Sequence, residues 1–125
     1  MKNSLVLGRQ DYQWRHEPCL YGWKGGAAHY WNGGRSQTTV FEVDKPRKND
    51  VHPTMKPVEL FERQMQNSTR PGDVVFDSFA GSGTTFVAAE RLGRRCFGVE
   101  LSPNYCDAIV QRWEAFTGEK AEVVR

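Results

Sequence analysis

The second half of the chain carries three hydrophobic patterns with the spacing of α-helices. The first follows Pro57, a residue that suits the first turn of a helix. The second ends at Gly93, which favours a helix stop, and the third follows Ser102, which favours a helix start. Their apolar positions are Leu60, Phe61 and Met65 in the first helix, Phe86, Ala89 and Leu92 in the second, and Tyr105, Ile109, Trp113 and Phe116 in the third.

Two short apolar runs lie between these helices. Residues 74–76 and residues 96–99 have the length and the side chains typical of buried parallel strands. A strand, a helix and a second strand in this order form a right-handed βαβ unit. The pattern therefore predicts an α/β fold with a parallel βαβ core.

Residues 1–44 have a different pattern, which is rich in glycine and aromatic residues. Two apolar runs, around residues 17–23 and 38–43, are separated by glycine clusters, and Asn32-Gly33 suits a tight turn. We expect β-strands joined by loops, with the aromatic side chains filling a β core rather than stacking on bases. These side chains are Tyr12, Trp14, Tyr21, Trp23, Tyr30 and Trp31.

The composition fits one domain. The chain has 125 residues, with 38% hydrophobic and 26% charged residues, and no apolar run approaches the roughly 20 residues of a membrane span. The predicted compartment is the cytoplasm. We expect three parts within the domain: a β-rich segment at residues 1–44, a polar connection at 45–57 and an α/β unit at 58–125. Three histidines and three cysteines show no metal-ligand spacing, so no metal site is expected.

A glycine-rich turn carries the chemistry of the chain. The strand at residues 74–76 ends at Asp77, and Gly81 and Gly83 follow before the next helix, where they permit a sharp bend and close approach of a ligand. A phosphate-binding P-loop would need a lysine directly after Gly83, and a dinucleotide site favours glycine where Phe86 stands. S-adenosylmethionine, a nucleoside without phosphate, requires neither feature.

Glu100 supports a nucleoside ligand at this turn. It lies at the end of the second strand, 19 residues after Gly81. A carboxylate at this position can accept hydrogen bonds from both hydroxyl groups of a ribose. The combination of strand, glycine turn, helix, strand and terminal acid favours a ligand site over a purely structural turn.

Residues 77–85 resemble the Asp-Pro-Phe-x-Gly-Ser-Gly-Thr-Thr signature of DNA amino-methyltransferases, which methylate N6 of adenine or N4 of cytosine. Residues 52–57 (His-Pro-Thr-Met-Lys-Pro) resemble a motif that precedes this signature in enzymes of the β-type. Residues 99–106 and 15–23 are also similar to family segments, so the resemblance covers nearly the whole chain. It implies a partial Rossmann-like, S-adenosylmethionine-dependent methyltransferase fold.

The resemblance also implies a role for each matching residue. Glu100 would bind the ribose, and Thr54 and Lys56 would close the methionine side, with Lys56 near the cofactor carboxylate. Ser78 stands where the family usually has proline, so we expect a looser turn. The residues that would shape the loop are Phe79, Gly81 and Gly83. The residues that would reach the methionine end of the cofactor or hold the loop are Asp77, Thr84 and Thr85.

The family's catalytic motif, Asp/Ser/Asn-Pro-Pro-Tyr/Phe, is absent from the chain. The nearest string, at residues 102–105, is better explained as a helix start. No catalytic residue is therefore assigned, and the resemblance places the motif upstream of residue 1. We expect the chain to be a fragment, a truncated product or one part of a split enzyme, and to be inactive alone. The expected partners are DNA and either a second chain or a missing N-terminal part that carries the catalytic motif. The overall resemblance to the family favours adenine over cytosine as the base that is methylated.

Two other hypotheses remain open. A non-catalytic remnant would bind DNA or a partner subunit through the first half, since residues 1–56 hold nine Lys/Arg against five Asp/Glu. A nucleotide-dependent oxidoreductase is the third, which the side chain at Phe86 disfavours.

Overall fold

The fold contains three helices and two strands in alternation. A computed structural model describes residues 9–44 and 55–124. The elements are α1 (Val58–Ser68), β1 (Val74–Asp77), α2 (Thr84–Arg91), β2 (Arg95–Gly98) and α3 (Pro103–Thr117). This order confirms the α/β fold predicted from the hydrophobic pattern. In the described part of the chain, no helix combines the length and the apolar character needed to cross a membrane.

The two strands pair in parallel, as the sequence predicted. The register runs from Val74 opposite Arg95 to Asp77 opposite Gly98. Beyond the strands, the backbone N–H of Val99 donates to the carbonyl of Asp77 at 2.9 Å. Because both strands point the same way, their carboxyl ends lie at one edge of the sheet.

A small hydrophobic core lies between α1, α2 and one face of the sheet. Met65, Ala88 and Ala89 are buried there, and the half-buried Val75 and Cys96 of the strands pack against them. The two alanines have short side chains, which lets α2 lie close to the sheet and to α1. Packing on this face therefore fixes where the amino end of α2 lies relative to the strands.

The other face of the sheet is exposed, so the prediction of fully buried strands is wrong for this face. Its apolar side chains are Val74, Phe76, Phe97 and Val99, which are 50%, 65%, 57% and 55% exposed. The exposed Arg95 lies on the same face, opposite Val74. Successive residues of a strand point to opposite faces, and only one face is covered by helices among the residues described. We call the four apolar residues the open sheet face.

Residues 9–44 contain no strand apart from an isolated β-bridge at Trp14. The strands expected around residues 17–23 and 38–43 are therefore not formed. A strand needs a neighbour with free backbone N–H and C=O groups. Residues 17–23 are exposed, and residues 32–41 contact α1, whose backbone groups largely bond within the helix. The segment is attached instead by contacts such as the guanidinium of Arg63, which lies 4.2 Å from the ring centre of Phe41. Because no sheet encloses them, most aromatic side chains of the segment are exposed, and the expectation that they fill a β core is wrong.

Gly83 is expected to be sensitive to substitution for two separable reasons. Its φ is 78°, and an added Cβ would lie 3.0 Å from Cγ1 and 3.3 Å from Cα of Ile109 in α3. Gly93 has a similar φ of 66° but open space around it. Gly93→Ala should therefore lower the free energy of unfolding by about 1–2 kcal/mol. Gly83→Ala should cost about 1–3 kcal/mol more, because it also overpacks α3.

Urea unfolding of the two variants measures this difference directly. Gly93→Ala is the matched control for the left-handed backbone. Equal losses in the two variants would show that contact between the turn and α3 contributes nothing.

Candidate cofactor-binding site

The turn after β1 is closed by the side chain of Asp77. One carboxylate oxygen accepts a hydrogen bond from the backbone N–H of Phe79 at 3.0 Å. The other accepts one from the hydroxyl of Thr85, which is buried in the first turn of α2. Asp77 therefore joins the end of β1 to the start of α2. Of the two roles considered for Asp77 and Thr85, this geometry supports holding the loop.

The two glycines of the turn serve different purposes. Gly81 has a φ of 53°, and an added Cβ would meet nothing closer than the carbonyl oxygen of Phe79 at 3.9 Å. Gly83 instead faces Ile109 of α3 closely. Gly81 therefore leaves an open side to the loop, whereas Gly83 is required by packing. The side chain of Phe79, two residues before Gly81, is 88% exposed.

Glu100 and the glycine turn meet directly. One carboxylate oxygen of Glu100 accepts a hydrogen bond from the backbone N–H of Gly81 at 2.8 Å. The other accepts one from the backbone N–H of Ser102 at 2.9 Å. Each oxygen has a further lone pair, so the carboxylate can still accept bonds from ligand hydroxyl groups. The structure thus brings the acid and the glycines together, as the sequence spacing suggested.

These hydrogen bonds also set the charge of the site. The N–H groups of Ser102 and then Gly81 lower the pKa of Glu100 below its usual value, so the carboxylate is ionised at neutral pH. On the core side of the sheet, burial and then the charge of Asp77 raise the pKa of Cys96 to about 11. That thiol is consequently neutral and suits packing rather than nucleophilic chemistry.

Lys56 and Thr84 are neighbours of the loop. The hydroxyl of Thr84 donates to the backbone carbonyl of Lys56 at 3.3 Å. The ammonium group of Lys56 forms an ion pair with Glu17. Lys56 therefore reaches the loop through its backbone, and its side chain is engaged by the N-terminal segment. Thr54, the other residue expected on the methionine side, lies outside the described residues.

Arg112 of α3 forms hydrogen bonds with the glycine loop. This residue was not identified from the sequence. Its Nη1 donates to the carbonyl of Ser82 at 2.9 Å and contacts the hydroxyl oxygen of Thr84 at 3.2 Å. Burial, and then the positive charge of Arg91, lower its pKa. The one available signal was helical spacing, because residue 112 lies three positions after Ile109, which packs on Gly83.

A parallel βαβ unit with a glycine turn and an acidic residue after the second strand is the arrangement of a Rossmann-like α/β unit. The sequence matches the family model for DNA methylases of the N6/N4 type over residues 8–111. This match covers most of the chain, and the chain belongs to this DNA methylase family.

Individual relatives agree with the family. The chain is 48% identical over 101 residues to the type II methyltransferase M2.DpnII of Streptococcus pneumoniae, covering 71% of this chain and 38% of that protein. It is 35% identical over 112 residues to M.Cfr9I of Citrobacter freundii, covering 89% of this chain and 36% of that protein. The chain therefore spans little more than a third of the length of these curated relatives.

A solved structure shows the same fold. The crystal structure of M1.HpyAVI in complex with S-adenosylmethionine has a TM-score of 0.59 and 32% identity, covering 69% of this chain and 44% of that one. The resemblance to DNA amino-methyltransferases and the partial methyltransferase fold are thus confirmed. S-adenosylmethionine, the cofactor expected from the sequence, is the ligand of that relative.

Glu100→Gln should change how stability depends on pH. The pKa of Glu100 is lowered in the folded chain, so the carboxylate stabilises the fold above its unfolded pKa of about 4.5. This contribution is lost as pH falls through the folded pKa. The wild-type chain should therefore lose more thermal stability than Glu100→Gln on acidification from neutral pH.

Melting temperatures of both proteins across the acidic range provide the measurement. Glu119→Gln, at an exposed position away from the loop, is the matched control and should follow the wild type. Parallel curves for the wild type and Glu100→Gln would contradict the assigned hydrogen bonds.

Arg112→Met should loosen the glycine loop. The variant keeps the length of the side chain but removes both hydrogen bonds to residues 82 and 84. Amide hydrogen exchange of residues 81–84 should accelerate, and the free energy of unfolding should fall by about 1–2 kcal/mol. Arg91→Met makes the same change in charge on α2 and should leave exchange in the loop unaltered. Equal exchange in the two variants would rule out the supporting role.

Proposed function

We propose that this chain is the S-adenosylmethionine-binding portion of a site-specific DNA methyltransferase, an enzyme that transfers a methyl group to an exocyclic amino group of a DNA base. The observation that carries the proposal is the hydrogen bond between the carboxylate of Glu100 and the N–H of Gly81 at the carboxyl edge of two parallel strands. Family membership and the cofactor of M1.HpyAVI support it.

The arrangement suits the ribose and the sulfonium of the cofactor. Glu100 would bind the ribose hydroxyl groups with its remaining lone pairs, and the open side of Gly81 leaves room for the nucleoside. The carboxylates of Asp77 and Glu100 flank the loop and would favour a ligand that carries a positive sulfonium. When bound, the cofactor supplies that sulfonium methyl group. The proposed binding residues are Thr54, Lys56, Asp77, Phe79, Gly81, Gly83, Thr84, Thr85 and Glu100.

The acceptor would be an exocyclic amino nitrogen of a base. Its lone pair is delocalised into the ring, so the family positions it with an Asp-Pro-Pro-Tyr-type motif, which this sequence lacks. Ser102 and Pro103, the nearest match, start α3 instead. We therefore propose that the chain alone transfers no methyl group. Adenine N6 is the favoured acceptor over cytosine N4, on overall sequence resemblance.

The open sheet face supports the need for a further part that carries the catalytic motif. Parallel sheets are normally covered on both faces, whereas the four apolar side chains of the open sheet face are at least half exposed. The two curated relatives are also much longer than the matched region. We propose that this part, in a longer form of the chain or in a second chain, covers the open sheet face. DNA is the proposed substrate, and the proposed compartment is the cytoplasm.

Calorimetry with S-adenosylmethionine tests the cofactor site. The folded chain should bind the cofactor, and Glu100→Gln should weaken binding by about tenfold or more, because the ribose loses a charged acceptor. Glu119→Gln is the control and should bind normally. In the same preparations, incubation with duplex DNA and methyl-labelled cofactor should yield no labelled DNA.

Two results would overturn the proposal. Absence of cofactor binding by the folded chain removes the cofactor site, and DNA binding in that case would favour the non-catalytic remnant. Methyl transfer by the chain alone would show that the Asp-Pro-Pro-Tyr-type motif is dispensable.

A further inference from the structure

An ion pair joins two distant parts of the chain next to the glycine turn. The ammonium group of Lys56 contacts a carboxylate oxygen of Glu17, which lies 39 residues earlier in the sequence. The two side chains are 47% and 48% exposed. Both charges are therefore held together and still accessible to a ligand.

The backbone of Lys56 is fixed to the first turn of α2. Its carbonyl accepts a hydrogen bond at 3.3 Å from the hydroxyl of Thr84, a side chain that is 5% exposed. Arg112 contacts the same hydroxyl oxygen at 3.2 Å and also binds the carbonyl of Ser82. The ion pair is thus attached at one end to the helix that follows the glycine turn, and it lies within one lysine side chain of that helix.

The glycine turn itself carries charge of one sign. Asp77 and Glu100 are its two carboxylates, and each of them accepts hydrogen bonds from groups of the turn or of the chain next to it. The guanidinium of Arg112 is directed to the carbonyl of Ser82. Lys56 therefore offers the positive charge that the proposed binding residues otherwise lack.

A lysine next to a glutamate suits a particular kind of ligand group. A lysine alone would attract any anion, whereas an adjacent carboxylate repels a simple anion and attracts a cation. An α-amino acid group carries both charges, because its carboxylate and its ammonium are attached to one carbon atom. The pair of Lys56 and Glu17 is therefore complementary to a zwitterion.

The ion pair need not break to bind such a group. A lysine ammonium has three N–H donors, and a carboxylate has about four acceptor sites. Lys56 and Glu17 can hence keep their mutual contact while each forms a further hydrogen bond with the ligand. Because the pair already exists in the free chain, little side-chain ordering would be needed on binding.

We propose that Glu17 is a cofactor-binding residue, whose carboxylate accepts hydrogen bonds from the α-ammonium of S-adenosylmethionine while Lys56 binds the α-carboxylate. The identity of the ligand rests on the proposed function. The role of Glu17 rests on its ion pair with Lys56 and on the attachment of Lys56 to α2. The pair selects for the amino acid group, whereas Glu100 and Gly81 contact the nucleoside.

Calorimetry with three ligands tests this assignment in the full chain. Decarboxylated S-adenosylmethionine keeps the amine but lacks the carboxylate, and 5′-methylthioadenosine lacks both groups. Glu17→Gln should weaken binding of S-adenosylmethionine and of the decarboxylated compound by about five- to tenfold, because both lose a charged acceptor for the amine. Its affinity for 5′-methylthioadenosine should not change. Lys56→Met should weaken binding of S-adenosylmethionine and leave the other two ligands bound at least as tightly.

A matched control removes the same charge elsewhere in the N-terminal segment. Glu42→Gln changes an exposed glutamate and should bind all three ligands as the wild type does. Circular dichroism verifies that each variant is folded. Glu17→Asp keeps the charge on a shorter side chain, so it should lose less affinity for S-adenosylmethionine than Glu17→Gln, and it replaces that variant if Glu17→Gln does not fold.

The outcomes separate this inference from the proposed function. If the wild type binds neither S-adenosylmethionine nor 5′-methylthioadenosine, the proposed function is wrong and this inference with it. If the wild type binds both and the folded Glu17 variant has unchanged affinity for S-adenosylmethionine, the role of Glu17 alone is overturned. Equal weakening of all three ligands also overturns it, because Glu17 would then only support the fold of the site. Tighter binding of S-adenosylmethionine by Glu17→Gln would show that the carboxylate competes with the cofactor for Lys56, and the inference would again be wrong.

Discussion

The parallel pairing of β1 with β2 is the constraint on which the site depends. Because the two strands run in one direction, Asp77 and Glu100 follow their carboxyl ends at the same edge of the sheet. The backbone N–H groups of the turn then join these two acids, through Phe79 to Asp77 and through Gly81 to Glu100. The strand pairing therefore fixes the two carboxylates and the glycine turn as one unit.

Helix α3 completes this unit from outside the βαβ core. Ile109 occupies the space that only a glycine at position 83 leaves free, and Arg112 binds the carbonyl of Ser82. The turn is thus held on one side by the acids of the strands and on the other by α3. Gly81, between these supports, keeps an open side. Because the loop is fixed in this way, binding of the proposed cofactor would require little further ordering of its backbone.

The exposed surfaces of the described chain are chemically distinct. Apart from the neighbouring Arg95, the open sheet face is aliphatic and aromatic, and parallel sheets normally bury such a face. The exposed aromatic side chains of residues 21–31 lie in a segment that has basic but no acidic residues between Glu17 and Glu42. The open sheet face therefore suits a covering protein layer. Both are compatible with membership of a family whose curated relatives are far longer than the matched region.

The sequence by itself determined the order of helices and strands in residues 58–125, because local hydrophobic spacing and residues such as Gly93 and Ser102 act over only a few positions. It also determined the proximity of Glu100 to the glycine turn, since the βαβ connection leaves little freedom. Only the tertiary structure decided the role of Arg112, the exposure of one sheet face and the absence of strands in residues 9–44. Each of these depends on which distant surface packs against a residue, and local spacing does not encode such long-range contacts.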